Sequence, residues 1–216
     1  MIQKRIGQLL CVSLLLTSVD ALAGPDEPLK ATSTGNDGWE PNGLAEERRW
    51  AVTVDSVWLS EEQLGDMLLF QAALTESQLW SVAVSRKLAS FNEHSDFEFE
   101  GQVAKHAGPL QRHWEFNGLG VYRWHTFPWD RHINTSVAFG LGLSYALDKP
   151  VFEVQAHEKS NRPLVYILVE LAVALPRAPR WEFVARIHHR SAAYGIFEND
   201  LQGASNGLGF GLKYRF

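Results

Sequence analysis

The last eleven residues of the chain, Asn206 to Phe216, alternate between two kinds of side chain. Most of the positions between the large apolar residues carry glycine, and the last two carry lysine and arginine. The large apolar positions are Leu208, Phe210, Leu212, Tyr214 and Phe216. Successive side chains of a β-strand point to opposite faces, so a period of two predicts a strand with one apolar face. The sequence is therefore expected to close on an amphipathic strand.

A final strand that ends in phenylalanine, with a tyrosine two positions earlier, resembles the closing strand of bacterial outer-membrane barrel proteins. In such proteins this strand serves as the assembly signal, so the resemblance implies that the barrel-assembly machinery is a partner. It also implies that the apolar face contacts the lipids of the outer membrane.

The first 23 residues have the features of a secretory signal peptide. Lys4 and Arg5 precede an apolar stretch, and the segment ends in the small-residue sequence Ala21-Leu22-Ala23. The apolar stretch is too short to span a membrane. The single cysteine, Cys11, lies inside this segment, so disulfides and thiolate metal sites are not expected after its removal. We predict export and localisation in the bacterial outer membrane.

The composition agrees with a membrane barrel and argues against other classes. No later segment approaches the roughly 18 consecutive apolar residues of a membrane-spanning helix, whereas barrel strands need apolar residues only at alternate positions. A formal net charge of −5 gives no sign of nucleic-acid binding. Eight tryptophans, twelve phenylalanines and five tyrosines could supply the aromatic girdles of a barrel.

Residues 24–49 are rich in proline, glycine and polar residues, and we predict a flexible periplasmic segment there. Residues 50–216 are predicted to form the barrel. Nine alternating runs are candidate strands: Ala51–Leu59, Met67–Thr75, Leu79–Leu88, Asp96–His106, Gln111–Trp124, Thr135–Leu147, Pro163–Leu175, Trp181–Arg190 and Asn206–Phe216. Single-chain bacterial barrels have an even number of strands. Because the tight turn Glu76-Ser77 favours a hairpin of the second and third runs, Ala51–Leu59 is the doubtful strand. We predict an all-β, eight-stranded antiparallel transmembrane barrel.

The alternation also divides the charged residues between two faces. The apolar sets are expected to face lipid, because the interior of an eight-stranded barrel is just wide enough for side chains. The predicted inward polar residues are Glu98, Glu100, Gln102, His113, Glu115, Asn117, Arg123, Glu170, Glu182, Arg186 and His188. Both signs of charge occur, and buried charges must pair. A packed ionic interior is therefore predicted rather than a pore.

One strand places polar residues on the apolar face. In Trp181–Ser191 the outward set ends with His189 and Ser191, while His188 points inward. Residues two apart on a strand are separated by roughly 6.5–7 Å at Cα, which lets an imidazole serve a hydroxyl as a general base. These residues would lie at the membrane interface, the depth of a lipid ester bond. The spacing is equally compatible with ordinary residues at a strand end.

The stretch from Arg186 to Gly195, followed by a polar loop and the terminal strand, resembles the C-terminal part of the outer-membrane lipid A 3-O-deacylases. Those eight-stranded barrels remove a 3-hydroxyacyl chain from the lipid A of lipopolysaccharide. The resemblance implies that Ser191 is the nucleophile and His189 its base. The orienting glutamate of the family falls on Asn206, which would lie beside His189 if the last hairpin pairs across the intervening loop. An asparagine that follows the serine in the family is replaced by Ala192, and Glu198 and Asp200 are possible substitutes for the missing carboxylate.

No cofactor is implied, and the spacing of the histidines suggests no metal site. The alternative is a small non-enzymatic barrel with a structural role or a role in surface interactions. Its supporting features are the long polar segments Asp148–Arg162 and Ala192–Ser205. An esterase and a non-enzymatic barrel are therefore competing hypotheses.

Overall fold

The computed structural model describes residues 48–62, 64–69, 71–108, 112–148, 161–192 and 204–216. Within these ranges eight antiparallel strands form a closed barrel in which each strand pairs with its neighbours in sequence and β1 pairs with β8. The strands are β1 Trp50–Ser60, β2 Gln78–Asn92, β3 Ser95–Ala107, β4 Trp114–Trp124, β5 Asn134–Ala146, β6 Pro163–Ala174, β7 Trp181–Ser191 and β8 Ala204–Arg215. The predicted signal peptide, nearly all of the predicted periplasmic segment, and Glu198 and Asp200 lie outside the described residues.

The predicted number of strands is confirmed, but one predicted strand was wrong. The doubtful run Ala51–Leu59 lies within β1, which closes the barrel by pairing with both β2 and β8. The run Met67–Thr75 is not a strand, because the short helix α1, Leu64–Leu68, occupies its start. A closed barrel has no free strand edge, so no position remains for a ninth strand. The predicted hairpin at Glu76-Ser77 is therefore replaced by a long connection between β1 and β2.

The connections between strands are on average longer at one end of the barrel than at the other. At one end, here called the loop rim, lie the connections over residues 61–77, 108–113, 147–162 and 192–203. At the other end, here called the turn rim, lie those over residues 93–94, 125–133 and 175–180. The backbones of Trp50 and Phe216 also pair at the turn rim. In single-chain outer-membrane barrels the longer loops face outside and the short turns face the periplasm.

The outer surface has the apolar band that the alternation predicted. On β5 the outward residues Val137, Phe139, Leu141, Leu143 and Tyr145 are all exposed, whereas the inward Ala138 and Ser144 are buried. Exposed aromatic residues also lie near both rims: Trp80, Trp114 and Tyr145 at the loop rim, and Trp50, Trp124 and Trp181 at the turn rim. This arrangement matches the aromatic girdles at the two interfaces of a bilayer.

The interior is filled by paired charges, as predicted. Arg186 donates to Glu170 at 2.7 Å, to both oxygens of Glu100 at 3.0 Å and to Asp55 at 3.3 Å. Lys213 also pairs with Glu170. The other predicted inward side chains are buried as well, except that Glu182 is only half-buried. Because Arg186 and Lys213 pair with these three carboxylates, this part of the interior satisfies the condition for burying ionised groups.

Candidate active site on the outer face of the barrel

His189 and Asn206 lie side by side on adjacent strands at the loop rim. They are cross-strand partners in the β7–β8 ladder, and Nδ1 of His189 lies 2.5 Å from Oδ1 of Asn206. His189 shares its face of β7 with Phe183, and Asn206 shares its face of β8 with Phe210, and both phenylalanines are exposed. The two polar side chains are therefore on the lipid-facing surface. The predicted pairing of the last hairpin across its loop is confirmed.

A second hydrogen bond fixes the orientation of the Asn206 amide. Its Nδ2 donates to the backbone carbonyl of Glu62 at 2.6 Å. Because only the amide nitrogen can donate to a carbonyl, Oδ1 must be the atom that faces His189. Nδ1 of His189 then carries the proton and donates it to Oδ1. The imidazole is thereby held in the tautomer whose Nε2 has a free lone pair.

Ser191 occupies the next outward position on β7. Its backbone pairs with Val165 of β6 on one side and with Ala204 of β8 on the other, and its side chain is half-buried. In the described part of the chain, the Ser191 hydroxyl and the His189 ring do not form a hydrogen bond. Contacts between base and nucleophile are often long in a free enzyme and tighten when substrate binds. The structure thus brings His189 into contact with Asn206 and leaves Ser191 nearby on the same face.

The connection between β1 and β2 covers this part of the outer face. His189 is 9% exposed and Asn206 is 5% exposed, whereas Phe183 on the same face of β7 is 49% exposed. α1 packs against β7 and β8, and its Met67 is buried. The connection is held to the barrel by Ser60, whose hydroxyl donates to the carbonyl of Ala73 at 2.8 Å and accepts from the amide of Glu62 at 3.1 Å.

This cover was not predicted, because the alternation had indicated a strand over residues 67–75. A local signal was present. The polar sequence Ser60-Glu61-Glu62 directly follows an alternating run, and serine after a strand favours a local turn through its hydroxyl. The apolar residues from Met67 to Leu69 are consecutive, whereas a barrel strand needs apolar residues only at alternate positions. This pattern does not favour a strand.

The remaining residues of the predicted site lie apart from the outer face. Ala192 is buried and packs with Leu164, so the position after Ser191 offers no polar side chain. His188 points inward as predicted, where its Nδ1 lies 3.1 Å from the Tyr166 hydroxyl and its Nε2 lies 3.1 Å from Glu115. The outer-face site therefore consists of His189, Ser191 and Asn206.

The chain matches no family model, and no curated protein sequence matches it. Solved structures do resemble it. The outer membrane enzyme PagL matches with a TM-score of 0.55 at 8% identity, over 77% of this chain and 99% of that one. Neisserial surface protein A matches with a TM-score of 0.46 at 11% identity, over 77% and 97%. OprG from Pseudomonas aeruginosa matches with a TM-score of 0.38 at 10% identity, over 78% and 97%. The likeness to PagL establishes the fold of a small outer-membrane barrel and nothing finer.

Proposed function

We propose that this barrel is an outer-membrane serine esterase that hydrolyses the 3-hydroxyacyl ester of lipid A. In this proposal Ser191 is the nucleophile, His189 is its general base and Asn206 orients the imidazole. The observation that carries the proposal is the contact of 2.5 Å between His189 and an Asn206 amide whose orientation is fixed by Glu62. A histidine held in one tautomer close to a serine is what a general base requires.

The position of these residues on the barrel agrees with a lipid ester as substrate. Ser191 is the last residue of β7 at the loop rim, where Trp114 and Tyr145 contribute to the aromatic girdle. Girdles mark the depth of the membrane interface, where the ester bonds of lipids also lie. The long loops of such barrels face outside, so the site would lie in the leaflet that contains lipopolysaccharide. Polar side chains on the outer face are tolerated best at this depth.

The proposed reaction is acyl transfer through the serine. His189 Nε2 accepts the proton of the Ser191 hydroxyl as Oγ attacks the ester carbonyl carbon of the 3-linked acyl chain. The bond to the sugar oxygen then breaks, and the imidazolium returns its proton to that oxygen. Water hydrolyses the acyl-enzyme by the same proton route, which releases a 3-hydroxy fatty acid and regenerates the serine. Backbone N–H groups have to stabilise the oxyanion, because Ala192 offers no side-chain donor.

The amide at position 206 changes the expected rate rather than the geometry. In serine proteases, replacement of the orienting aspartate by asparagine lowers the rate by about four powers of ten because the histidine adopts the wrong tautomer. Here the carbonyl of Glu62 turns the amide so that the productive tautomer forms. What the site lacks is a negative charge that stabilises the imidazolium. A slow but genuine esterase is therefore expected.

The acyl chain of the substrate is expected to lie on the β6 side of Ser191. The β1–β2 connection covers the β8 side, where Asn206 binds Glu62. On the β6 side, Val165 is the cross-strand partner of Ser191 and Ile167 is the partner of His189, and both side chains are half-buried. These apolar side chains offer a path along which the alkyl chain of the substrate would lie.

Mass spectrometry of lipid A tests the proposal in cells. Lipid A from cells that express the chain is expected to lose one 3-hydroxyacyl group, and Ser191→Ala should abolish this loss. Ser144→Ala is the matched control, because its buried hydroxyl has no hydrogen-bond partner among the described residues and lies inside the barrel. Unchanged lipid A despite good expression of the folded barrel would refute the esterase and favour the non-enzymatic barrel.

A further inference from the structure

Three side chains that can bind a metal converge inside the barrel near the loop rim. They are His106 at the end of β3, His113 directly before β4, and Glu115 on β4. One donor atom from each lies within 4.8 Å of the others. All three residues are at most 4% exposed. The group lies in the lumen, on the opposite side of the barrel wall from the outer-face site.

The β3–β4 hairpin explains why these residues meet here. The strand register pairs Ala104 with Glu115, and the amide of His106 donates to the carbonyl of His113 at 3.0 Å. His106 and His113 are therefore cross-strand neighbours across the connection. Glu115 follows His113 by two positions, so it points to the same face. Sequence spacing alone did not reveal the group, because the loop separates its members.

Two nitrogen atoms of this group are buried without a hydrogen-bond partner among the described residues. They are Nδ1 of His106 and Nε2 of His113. The other ring nitrogen of His106, Nε2, lies 2.8 Å from Glu115, and the two imidazole rings stack with centroids 4.0 Å apart. A buried polar atom without a partner costs about 1–3 kcal/mol. A cation that bound these nitrogens would remove this cost.

The donor types of the group suit a cation. Metal ions require deprotonated imidazole and carboxylate ligands. Arg190 is the nearest guanidinium, with Nη1 3.8 Å from Glu115, but its Nη2 is held by the carbonyls of Asn161 and Arg162.

We propose that His106, His113 and Glu115 bind a Zn²⁺ ion that links the end of β3 to the start of β4. Two imidazoles and one carboxylate form a common zinc donor set, with water in the fourth position. Zinc bonds of about 2.0–2.2 Å would bring the three donors to about 3.4 Å from one another, which small side-chain rotations can achieve. On the far side of Glu115, Nε2 of His188 lies 3.1 Å from the other carboxylate oxygen.

Zinc content and thermal stability of the purified, refolded barrel test this proposal. The wild-type protein, dialysed against Zn²⁺ and then against metal-free buffer, is expected to retain about one zinc per chain by elemental mass spectrometry. Its midpoint of thermal unfolding should fall when the metal is removed by a chelator. His113→Phe should bring zinc retention to background, and it preserves an aromatic ring to stack on His106. The matched control His132→Phe removes an exposed histidine at the turn rim and should retain the metal.

Heat-modifiable migration on a gel establishes that each variant is folded. If His113→Phe does not fold, Glu115→Gln serves as the second variant with the same expected loss of zinc. The proposal is overturned if the folded wild-type barrel holds no more zinc than His113→Phe, or if both variants retain wild-type zinc. Neither result affects the proposed esterase, because that site uses no metal and lies on the other face of the barrel.

Discussion

At position 206 a neutral amide binds His189, whereas a carboxylate orients the histidine in a Ser-His-Asp triad. The amide can set the tautomer of His189, because its oxygen accepts the Nδ1 proton and its nitrogen binds Glu62. It cannot stabilise the charge that develops on the imidazole during proton transfer. The proposed catalytic site is therefore correctly oriented but lacks one electrostatic contribution.

Restoring this charge should raise the rate. Asn206→Asp is expected to increase kcat/KM for fatty-acid release about tenfold, because a charge-assisted hydrogen bond adds about 1.4 kcal/mol over a neutral one. The carboxylate would also face the Glu62 carbonyl, so a lower thermal midpoint is expected from the same variant. Kinetics of the purified barrel with lipid A in detergent measure the first effect. A rate equal to or below that of the wild type would contradict this account of Asn206.

Alternation in β7 and β8 was sufficient to put His189 and Asn206 on the same face, and the pairing of the last hairpin, which was assumed, makes them neighbours. It was not sufficient to show how the amide is oriented. That orientation depends on Glu62, which lies far away in sequence and reaches the site through a connection of irregular conformation. Alternation in a strand can be read from sequence, whereas the course of a loop across the barrel surface cannot.

The β1–β2 connection is the element that joins the fold to the site. Its contact with Asn206 depends on the hydroxyl of Ser60, which is buried on the outer face of β1 and binds both Ala73 and Glu62. The connection was predicted as a hairpin strand because its apolar residues satisfied a loose strand pattern. Because β1 pairs with β8 and closes the barrel, residues 67–75 cannot add a further strand. This becomes evident only when the pairing of all the strands is known.

Removal of the Ser60 hydroxyl should loosen the connection without unfolding the barrel. Two hydrogen bonds of about 1 kcal/mol each are lost in Ser60→Ala, so backbone amides over residues 71–77 should exchange with solvent about ten- to thirtyfold faster. Hydrogen exchange with peptide-level mass spectrometry provides the measurement. Amides of β5, four strands away from β1 in the barrel, serve as the internal control. Unchanged exchange over 71–77 would show that Ser60 does not hold the connection.

The glycines of β8 give a second prediction for an element. A Cβ at Gly211 would lie 2.2 Å from the carbonyl oxygen of Val54, so Gly211→Ala should lower the free energy of unfolding by about 1–3 kcal/mol. Gly101→Ala is the control, because a Cβ there has no atom within 4 Å, and its effect should be near zero. Urea unfolding in lipid vesicles compares the two. Equal stability of both variants would contradict the close approach of β1 and β8.

For the whole molecule, the main feature of the interior is a network of paired charges. The sequence predicted this interior because polar residues of both signs alternate with the lipid-facing residues. It did not predict which charges pair. Arg186 meets Asp55, Glu100 and Glu170, which come from three different strands, so the pairs follow from closure and stagger of the barrel rather than from neighbouring positions.

Replacement of this central cation should destabilise the entire barrel. Arg186→Met leaves three buried carboxylates with fewer partners, and we expect a loss of about 3–5 kcal/mol in the free energy of unfolding. Arg131→Met, at an exposed position in the turn rim, should change it by less than about 0.5 kcal/mol. The measurement is the temperature to which each variant must be heated before its compact form disappears from a gel. Equal temperatures for the two variants would show that the buried network is not needed for stability.

Labelling by a serine-directed fluorophosphonate tests most directly whether His189 activates Ser191. The purified, folded barrel is expected to gain one phosphonyl group, and peptide mapping should find it on Ser191. His189→Ala should lose this labelling although Ser191 is still present, whereas His188→Gln, altered on the inward face of the same strand, should keep it wherever the barrel folds. An unlabelled Ser191 in the wild-type protein, or equal labelling in His189→Ala, would contradict the proposed catalytic site.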